Sequence, residues 1–569
     1  IYLPGTGQPV SPLARPTPTP FSPPTPQLFG ATAALPTPAA PAGGTTQPAT
    51  PGSQILAFNV NGPTTISQTV TVGPNAGGCG PSSGGTTCQL ALTLPAGIYT
   101  GTVGAFASSG ALAQNSPNGA AAIAFTVAPN GSNVLNLTLG GVPNQLVVVP
   151  ASFMSAPNAQ GGIDLYGAGK HPLLVEMLDA NQNVIIGSAT ATFALTQAGG
   201  ALALAVTQAP TAPNLFYVTV PAGNAGSALL RAGASYLGSP NPCAQAAAVC
   251  NGTTRVSLRQ VLGVANSNAA SVTLYVNGQS APLATIQSGI SNPQALVFDG
   301  AGDLFVANQP GSVNVYAPPY SQSPATITTG VNHPQALALD GRGNLFVANG
   351  NGSNTVTMYA PPYGGSPSAT ISTAMNDPVG LALDANANLF VVNAAANTVT
   401  EYAPPYTGTP TTISKGLNAP NSLALDGRGN LFVANLNSTP NSVVEFTPPF
   451  SDQSTPVATI TNGVNEQGTI GIFGSSSLFV PNQGANSVTE YAAPYTAAPT
   501  TIVGGQSQPV ALAIDMQGNL YVANYGNNTV TTYAPPYSGG SWSTISTGVS
   551  APQALALSPP TGAGPALLP

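Results

Sequence analysis

Four cysteines stand in two close pairs, Cys79 with Cys88 and Cys243 with Cys250, each in a Gly-, Ser- or Ala-rich stretch with no histidine nearby. A structural zinc site takes four ligands, mostly Cys and His, and the whole chain offers only His171 and His333. Two local disulfides are therefore expected, which places the protein in an oxidising compartment, secreted or at a cell surface. Four buried thiols are the alternative. His333 precedes a recurring proline, where equivalent positions hold Asn292, Asp377, Ala419 or Ala551; it is expected to be a surface histidine rather than a base. The turns Asp299-Gly-Ala-Gly-Asp303, Asp340-Gly-Arg-Gly-Asn344, Asp384-Ala-Asn-Ala-Asn388 and Asp426-Gly-Arg-Gly-Asn430 have a faint look of calcium loops. Calcium wants six to eight oxygens, and each turn offers one or two carboxylates; a tight hairpin needs the same residues. No nucleophile elbow or phosphate loop stands in a strand-to-helix context. The expectation is a protein that is not an enzyme and carries no metal or cofactor.

Charge narrows the classes further. Only 4% of the 569 residues are charged, 8 Lys and Arg against 15 Asp and Glu, where an ordinary soluble domain has about 25%. Solvated helix faces are built from Glu, Lys and Arg, so long helices and coiled coils are excluded. Nucleic acid is excluded as a partner, because phosphate neutralisation needs clustered cations. No apolar run reaches the roughly 20 residues of a membrane span. No leader is read at the N-terminus, so Ile1 is expected to follow a processing cut.

The elements that must position these residues are strands. Residues 1–52 hold 14 prolines, a density that favours extended polyproline II. This Pro/Thr-rich arm reads either as a stalk or as a segment that docks on another subunit through Ile1, Tyr2, Leu13, Phe21, Leu28 and Phe29. From 53 to 149, period-two runs such as Ile55-Leu-Ala-Phe-Asn-Val60 and Asn133-Val-Leu-Asn-Leu-Thr-Leu139 predict a β-sandwich that carries the Cys79–Cys88 loop. Residues 150–270, with runs such as Phe216-Tyr-Val-Thr-Val220 and the Cys243–Cys250 loop, predict a second β-rich domain. Both are Ig-like in the broad sense.

Residues 271–569 are a repeat. Asn332-His-Pro-Gln-Ala-Leu-Ala-Leu-Asp-Gly-Arg-Gly-Asn-Leu-Phe-Val-Ala-Asn349 recurs near 292, 419 and 508, and each unit runs on into an aromatic and Ala-Pro-Pro-Tyr. Four short strands in about 43 residues make one propeller blade. These units resemble the NHL-repeat β-propeller family, whose blades read approximately Pro-x-Gly-Leu-Ala-Val-Asp, then Gly-Asn-Leu-Tyr-Val-Ala-Asp, then a strand ending in an aromatic. The combination with the upstream domains is similar to secreted NHL-repeat proteins of environmental bacteria. One departure is systematic: Asn308, Asn349, Asn393, Asn435, Asn482 and Asn524 stand where the family often has Asp. Some related propellers are enzymes with a His-centred, metal-assisted site at the ring mouth, and His333 alone does not supply one. The count of strands predicts seven blades, closed by joining the C-terminal strands to residues 271–287; six blades with a loose end is the alternative.

The all-β chain is thus expected to hold an arm, two sandwich domains and a propeller. Tyr320, Tyr363, Tyr406, Phe450, Tyr495 and Tyr537 follow the repeated prolines. They read either as packing between blades or as exposed platforms for a partner. Sequons at Asn130, Asn136, Asn251 and Asn351 could carry glycans. Two functions stay open. One is a self-assembling extracellular filament or surface-layer subunit, whose partner is itself. The other is a module that binds carbohydrate or protein on the propeller face. Charge depletion favours the first, because there is little to desolvate on any face.

Overall fold

The computed structural model describes residues 27–36, 54–72, 79–82, 85–106, 119–127, 133–139, 145–179, 182–186, 192–210, 212–221, 225–235, 252–277, 279–436, 440–465, 468–473, 477–537 and 542–559. Among them regular structure is almost wholly strand, with two 3-10 turns and no α-helix. The chain divides into two compact units. One is Ile1–Leu165 with Lys170–Val220 and Gly226–Leu258; the other is Tyr166–Gly169 with Pro221–Ala225 and Arg259–Pro569.

The first unit contains two sandwich cores that share one sheet. A four-stranded antiparallel sheet runs in the order Ile66–Val72, Gln54–Asn61, Gly97–Phe106, Gly119–Val127. Leu56, Phe58, Val60 and Val103 on its inner face meet Cys88, Leu94 and Leu137 of a nine-stranded sheet. Period-two alternation is visible in Ile66–Val72, whose residues alternate between half-buried and exposed, as one solvated face requires. The same nine-stranded sheet supplies Leu173, Val175 and Val218 to a second core, against Leu165, Leu195, Leu230 and Val256 of a five-stranded sheet. Within the large sheet, strand Gln27–Pro36 lies between Gly85–Leu94, antiparallel, and Asn133–Leu139, parallel.

The second unit is a propeller-like ring of four-stranded sheets, seven among the described residues. Six run outward in chain order, from Pro293–Phe298, Leu304–Asn308, Ser312–Tyr316 and Ala325–Ile327 through to Pro509–Ile514, Leu520–Asn524, Thr529–Tyr533 and Trp542–Ile545. The remaining sheet joins both ends of the unit: Pro552–Ser558 pairs with Val261–Asn266, followed by Ser271–Val276 and Pro282–Ile286. Innermost strands neighbour one another in a closed cycle, with Pro552–Ser558 beside both Pro293–Phe298 and Pro509–Ile514. Each Leu-Phe-Val-Ala-Asn strand is buried along its whole length, because the sheet is covered on both faces and such strands read as continuous apolar runs.

Candidate functional site

The ring offers three sets of repeated side chains. The first stands on its innermost strands. Strand register slips between Pro293 and Ala295, Pro334 and Ala336, Pro378 and Gly380, and Pro420 and Ser422. A bulge re-aims the residue it leaves unpaired, and here these are Gln294, Gln335, Val379 and Asn421. All four, with Thr469 and Gln553, line a cavity of about 80 Å³ among the innermost strands. A cavity needs at least ~10–15 Å³ to admit one water, so this one has room for a few. A small-molecule pocket is ~300–1,000 Å³.

The second set is the asparagines at the ends of the buried strands. Asn349 Oδ1 accepts the Asn332 backbone N–H at 2.9 Å, while its Nδ2 donates to Val347 O and to the Thr355 and Thr357 hydroxyls. Asn393, Asn482 and Asn524 repeat the pattern with Thr400, Thr489 and Thr531. This explains the departure from Asp: an ionised carboxylate only accepts, whereas the amide accepts and donates. Asn266 is a seventh member that sequence reading missed. Its signal was the seven-residue spacing to Thr273, the same as from Asn393 to Thr400, Asn482 to Thr489 and Asn524 to Thr531.

The third set is the Asp turn. Asp340 Oδ1 accepts from the Arg342 and Asn344 backbone N–H groups at 2.9 and 2.8 Å, and Oδ2 accepts from Asn344 Nδ2 at 2.7 Å. Asp384, Asp426 and Asp515 do the same with Asn388, Asn430 and Asn519. The oxygens that a cation would need are committed to the hairpin. No group of three or more His, Cys, Asp or Glu among the described residues could hold a metal. One turn differs: Asp303 replaces the amide, so one turn carries two carboxyls. Burial, then the charge of Asp299, pushes Asp303 up to about 6.

Tyr363, Tyr406, Phe450, Tyr495 and Tyr537 each sit edge-on to a phenylalanine of the preceding sheet (Phe305, Phe346, Phe390, Phe432, Phe479), with ring centroids 5.0–5.5 Å apart. Tyr320 packs on Phe298 of its own sheet. Tyr320, Tyr363, Tyr406 and Tyr537 also donate to the carbonyls of Gly302, Gly343, Ala387 and Gly518 in the Asp turns. Burial, and next the nearby carboxylates, raises Tyr363, Tyr495 and Tyr537 to about 12, so these phenols remain protonated at neutral pH. This packing places the aromatics against neighbouring sheets, with Tyr320 and Tyr495 buried and Tyr363, Tyr406, Phe450 and Tyr537 half-buried.

The other candidate residues are dispersed. Cys79 and Cys88 face each other across an antiparallel pair and are disulfide-bonded; Cys243 and Cys250 lie outside the described residues. Leu28 and Phe29 lie on strand Gln27–Pro36, whereas Ile1, Tyr2, Leu13 and Phe21 lie outside the described residues. His333 has positive φ and shares a hydrogen bond with its neighbour Asn332. His171 is buried, with Nδ1 3.0 Å from Met154 O. No described helix is long and apolar enough to cross a membrane.

No family model matches this sequence, and no curated protein matches it. Solved structures that resemble it cover about half of the chain. A functionally unknown protein from Desulfotomaculum acetoxidans is 15% identical over 53% of this chain and 98% of its own, with a TM-score of 0.45. A streptogramin B lyase is 11% identical over 52% and 91%, with a TM-score of 0.41. Virginiamycin B lyase from Staphylococcus aureus is 11% identical over 46% and 85%, with a TM-score of 0.39.

Proposed function

We propose that this is a secreted, self-assembling structural protein, a filament or surface-layer subunit, in which Ig-like sandwiches and a seven-bladed NHL-type propeller serve as building blocks rather than as a catalyst. The observation that carries this reading is charge: 23 ionisable Lys, Arg, Asp and Glu side chains in 569 residues. Charged groups are excluded from interface cores because desolvating them is costly, and dispersed mixed charge is what keeps monomers apart in solution. A surface so poor in charge can be buried against a copy of itself at little electrostatic cost. The committed turn carboxylates, and aromatics spent between sheets, fit a scaffold. Burial on assembly is apolar and neutral, so particle size should grow with concentration and persist in 1 M salt. Sedimentation velocity with negative-stain imaging tests this; a monomer at every concentration and salt level would reject it. A second reading, a binding module, is favoured only by the amide-lined cavity among the innermost strands, whose neutral donors and acceptors suit a small polyol. Titration with glycerol and a monosaccharide followed by calorimetry distinguishes it.

A further inference from the structure

Strand Gln27–Pro36 has an unusual position for the first described strand of a chain. It is an interior strand of the nine-stranded sheet, paired at ten positions with Gly85–Leu94 and at six with Asn133–Leu139. The hairpin Cys79–Ser82 with Gly85–Leu94 joins the sheet through this strand alone among the described residues. Take the strand away and two rows of backbone N–H and C=O groups face an empty slot, each buried unpaired group costing about 1–3 kcal/mol. The slot must therefore be filled, but the source of the filling strand is decided by the tether.

That tether, residues 37–53, is 17 residues of Pro, Ala, Gly, Thr, Gln and Ser with no bulky apolar side chain. It leads from the large sheet to Gln54–Asn61 in the facing sheet. Facing sheets lie ~10 Å apart, and connections in compact domains usually take about 4–6 residues. Seventeen residues in polyproline II extension reach roughly 50 Å. The tether is several times longer than the sandwich requires and long enough to deliver the strand to another molecule. None of Gln27–Pro36, Gly85–Leu94 and Asn133–Leu139 contains a charged residue, so a strand arriving from outside desolvates no charge on entry.

We infer that Gln27–Pro36 is an exchangeable strand: on assembly, it leaves its own slot and fills the same slot of a second copy. Pairing is unchanged in register and number, so exchange swaps like for like. Each subunit donates once and accepts once: two copies that exchange reciprocally close as a dimer, and copies that pass the strand on to a third make a heterologous contact. Such a contact forms a ring or, where rotation does not close, an open filament. This inference rests on the self-assembly proposed above and supplies its route.

The test uses full-length chains. Gly30 and Ala91 are partners in the antiparallel register. One chain carries Gly30→Cys, another Ala91→Cys, and the two are mixed, assembled and oxidised. Circular dichroism of each variant checks that it folds, and Thr32→Cys with Gln89→Cys, also register partners, is the replacement pair. Exchange predicts at least tenfold more cross-linked dimer in assembled material than in the same mixture held as monomers. The double variant Gly30→Cys/Ala91→Cys should give a covalent ladder after assembly. If the variants assemble while the double variant locks only within single chains and the mixture gives no dimer, exchange is overturned and self-assembly stands. If the wild-type chain forms no assemblies at all, both readings fall.

Discussion

Asn266 and Ser550 are 284 residues apart in sequence, yet the Ser550 backbone N–H donates to Asn266 Oδ1 at 2.9 Å. This bond sits where the chain's last described strand, Pro552–Ser558, joins Val261–Asn266. Asn266 Nδ2 meanwhile donates to the Ser271 and Thr273 hydroxyls. One buried amide therefore holds three segments of the closing sheet.

Asn266→Asp is expected to lower stability by about 1–3 kcal/mol, since the carboxylate keeps the acceptor but leaves two hydroxyls and a carbonyl without their donor. Asn393→Asp should cost a similar amount. Chemical denaturation of both variants checks this; a neutral result at Asn266 alone would mean that the closing sheet does not limit stability.

Asn314 offers the opposite case. It is buried on the third strand of its sheet, where other sheets carry Thr273, Thr357, Thr400, Thr489 or Thr531. Its Nδ2 donates to Gly289 O and Tyr316 Oη, but Oδ1 is buried with no partner. Asn314→Thr should restore the repeat's hydroxyl beside Asn308 and raise stability by about 1 kcal/mol. A lower melting temperature would show that the Gly289 bond is worth more than the orphaned acceptor costs.

The repeated strands were legible because Asp-Gly turns and Leu-Phe-Val-Ala-Asn recur in register. Val261–Asn266 was not: Leu-Arg-Gln stands before it instead of the Asp turn, since its inner neighbour comes from residues 552–558 and no hairpin precedes it. By sequence alone it falls at the end of the upstream domain, within 150–270. Gln27–Pro36 was hidden in the arm of 1–52 by the prolines around it, and its partners lie some 50 to 110 residues downstream. Periodic aromatics announce a repeated role but not a partner; the edge-on pairs with Phe305 and its equivalents supply one. The bulge residues Gln294, Gln335 and Asn421 did carry a signal, a polar side chain directly after the repeat proline of an otherwise apolar strand.

Tyr363 separates the hydroxyl from the ring. Tyr363→Phe removes the 2.8 Å bond to Gly343 O and should cost about 0.5–1.5 kcal/mol; Phe450 already occupies the equivalent site without a hydroxyl. Tyr363→Ala also removes the edge-on contact with Phe305 and should cost about 3 kcal/mol or more. Equal costs in thermal unfolding would mean that the ring contributes nothing.

Asp303→Asn converts the odd turn into the common one. Asp303 is raised to about 6 by burial and then by Asp299, so the folded state holds this proton more tightly than the unfolded chain. Stability from the group is complete below about pH 4 and is lost as pH rises through about 6. The amide introduced by the substitution can donate to Asp299 as Asn344 does to Asp340. The variant should match wild type near pH 4 and exceed it at pH 7 by on the order of 1 kcal/mol, after allowance for solvent screening. A constant difference from pH 4 to 7 would show that the pair does not titrate in this range.

The whole chain should follow the same sign. Burial raises Asp299, Glu401 and Glu445 as well, with Asp384 and Asp426 next in effect on the two glutamates. Each raised carboxyl makes the fold more stable as pH falls from neutral toward about 4, the reverse of ordinary acid unfolding, in which carboxylates held ionised must take up protons. Full protonation leaves only 8 Lys and Arg with 2 His, a charge of +10 over 569 residues, so self-repulsion is weak. Stability is therefore expected to rise as pH falls from neutral to about 4 and to stay level below that, the β-signal persisting to about pH 2 with little response to molar salt. Denaturant midpoints by circular dichroism from pH 8 to 2 measure the curve. A cooperative loss of structure near pH 4 would mean that the raised carboxyls do not govern the acid stability of the fold.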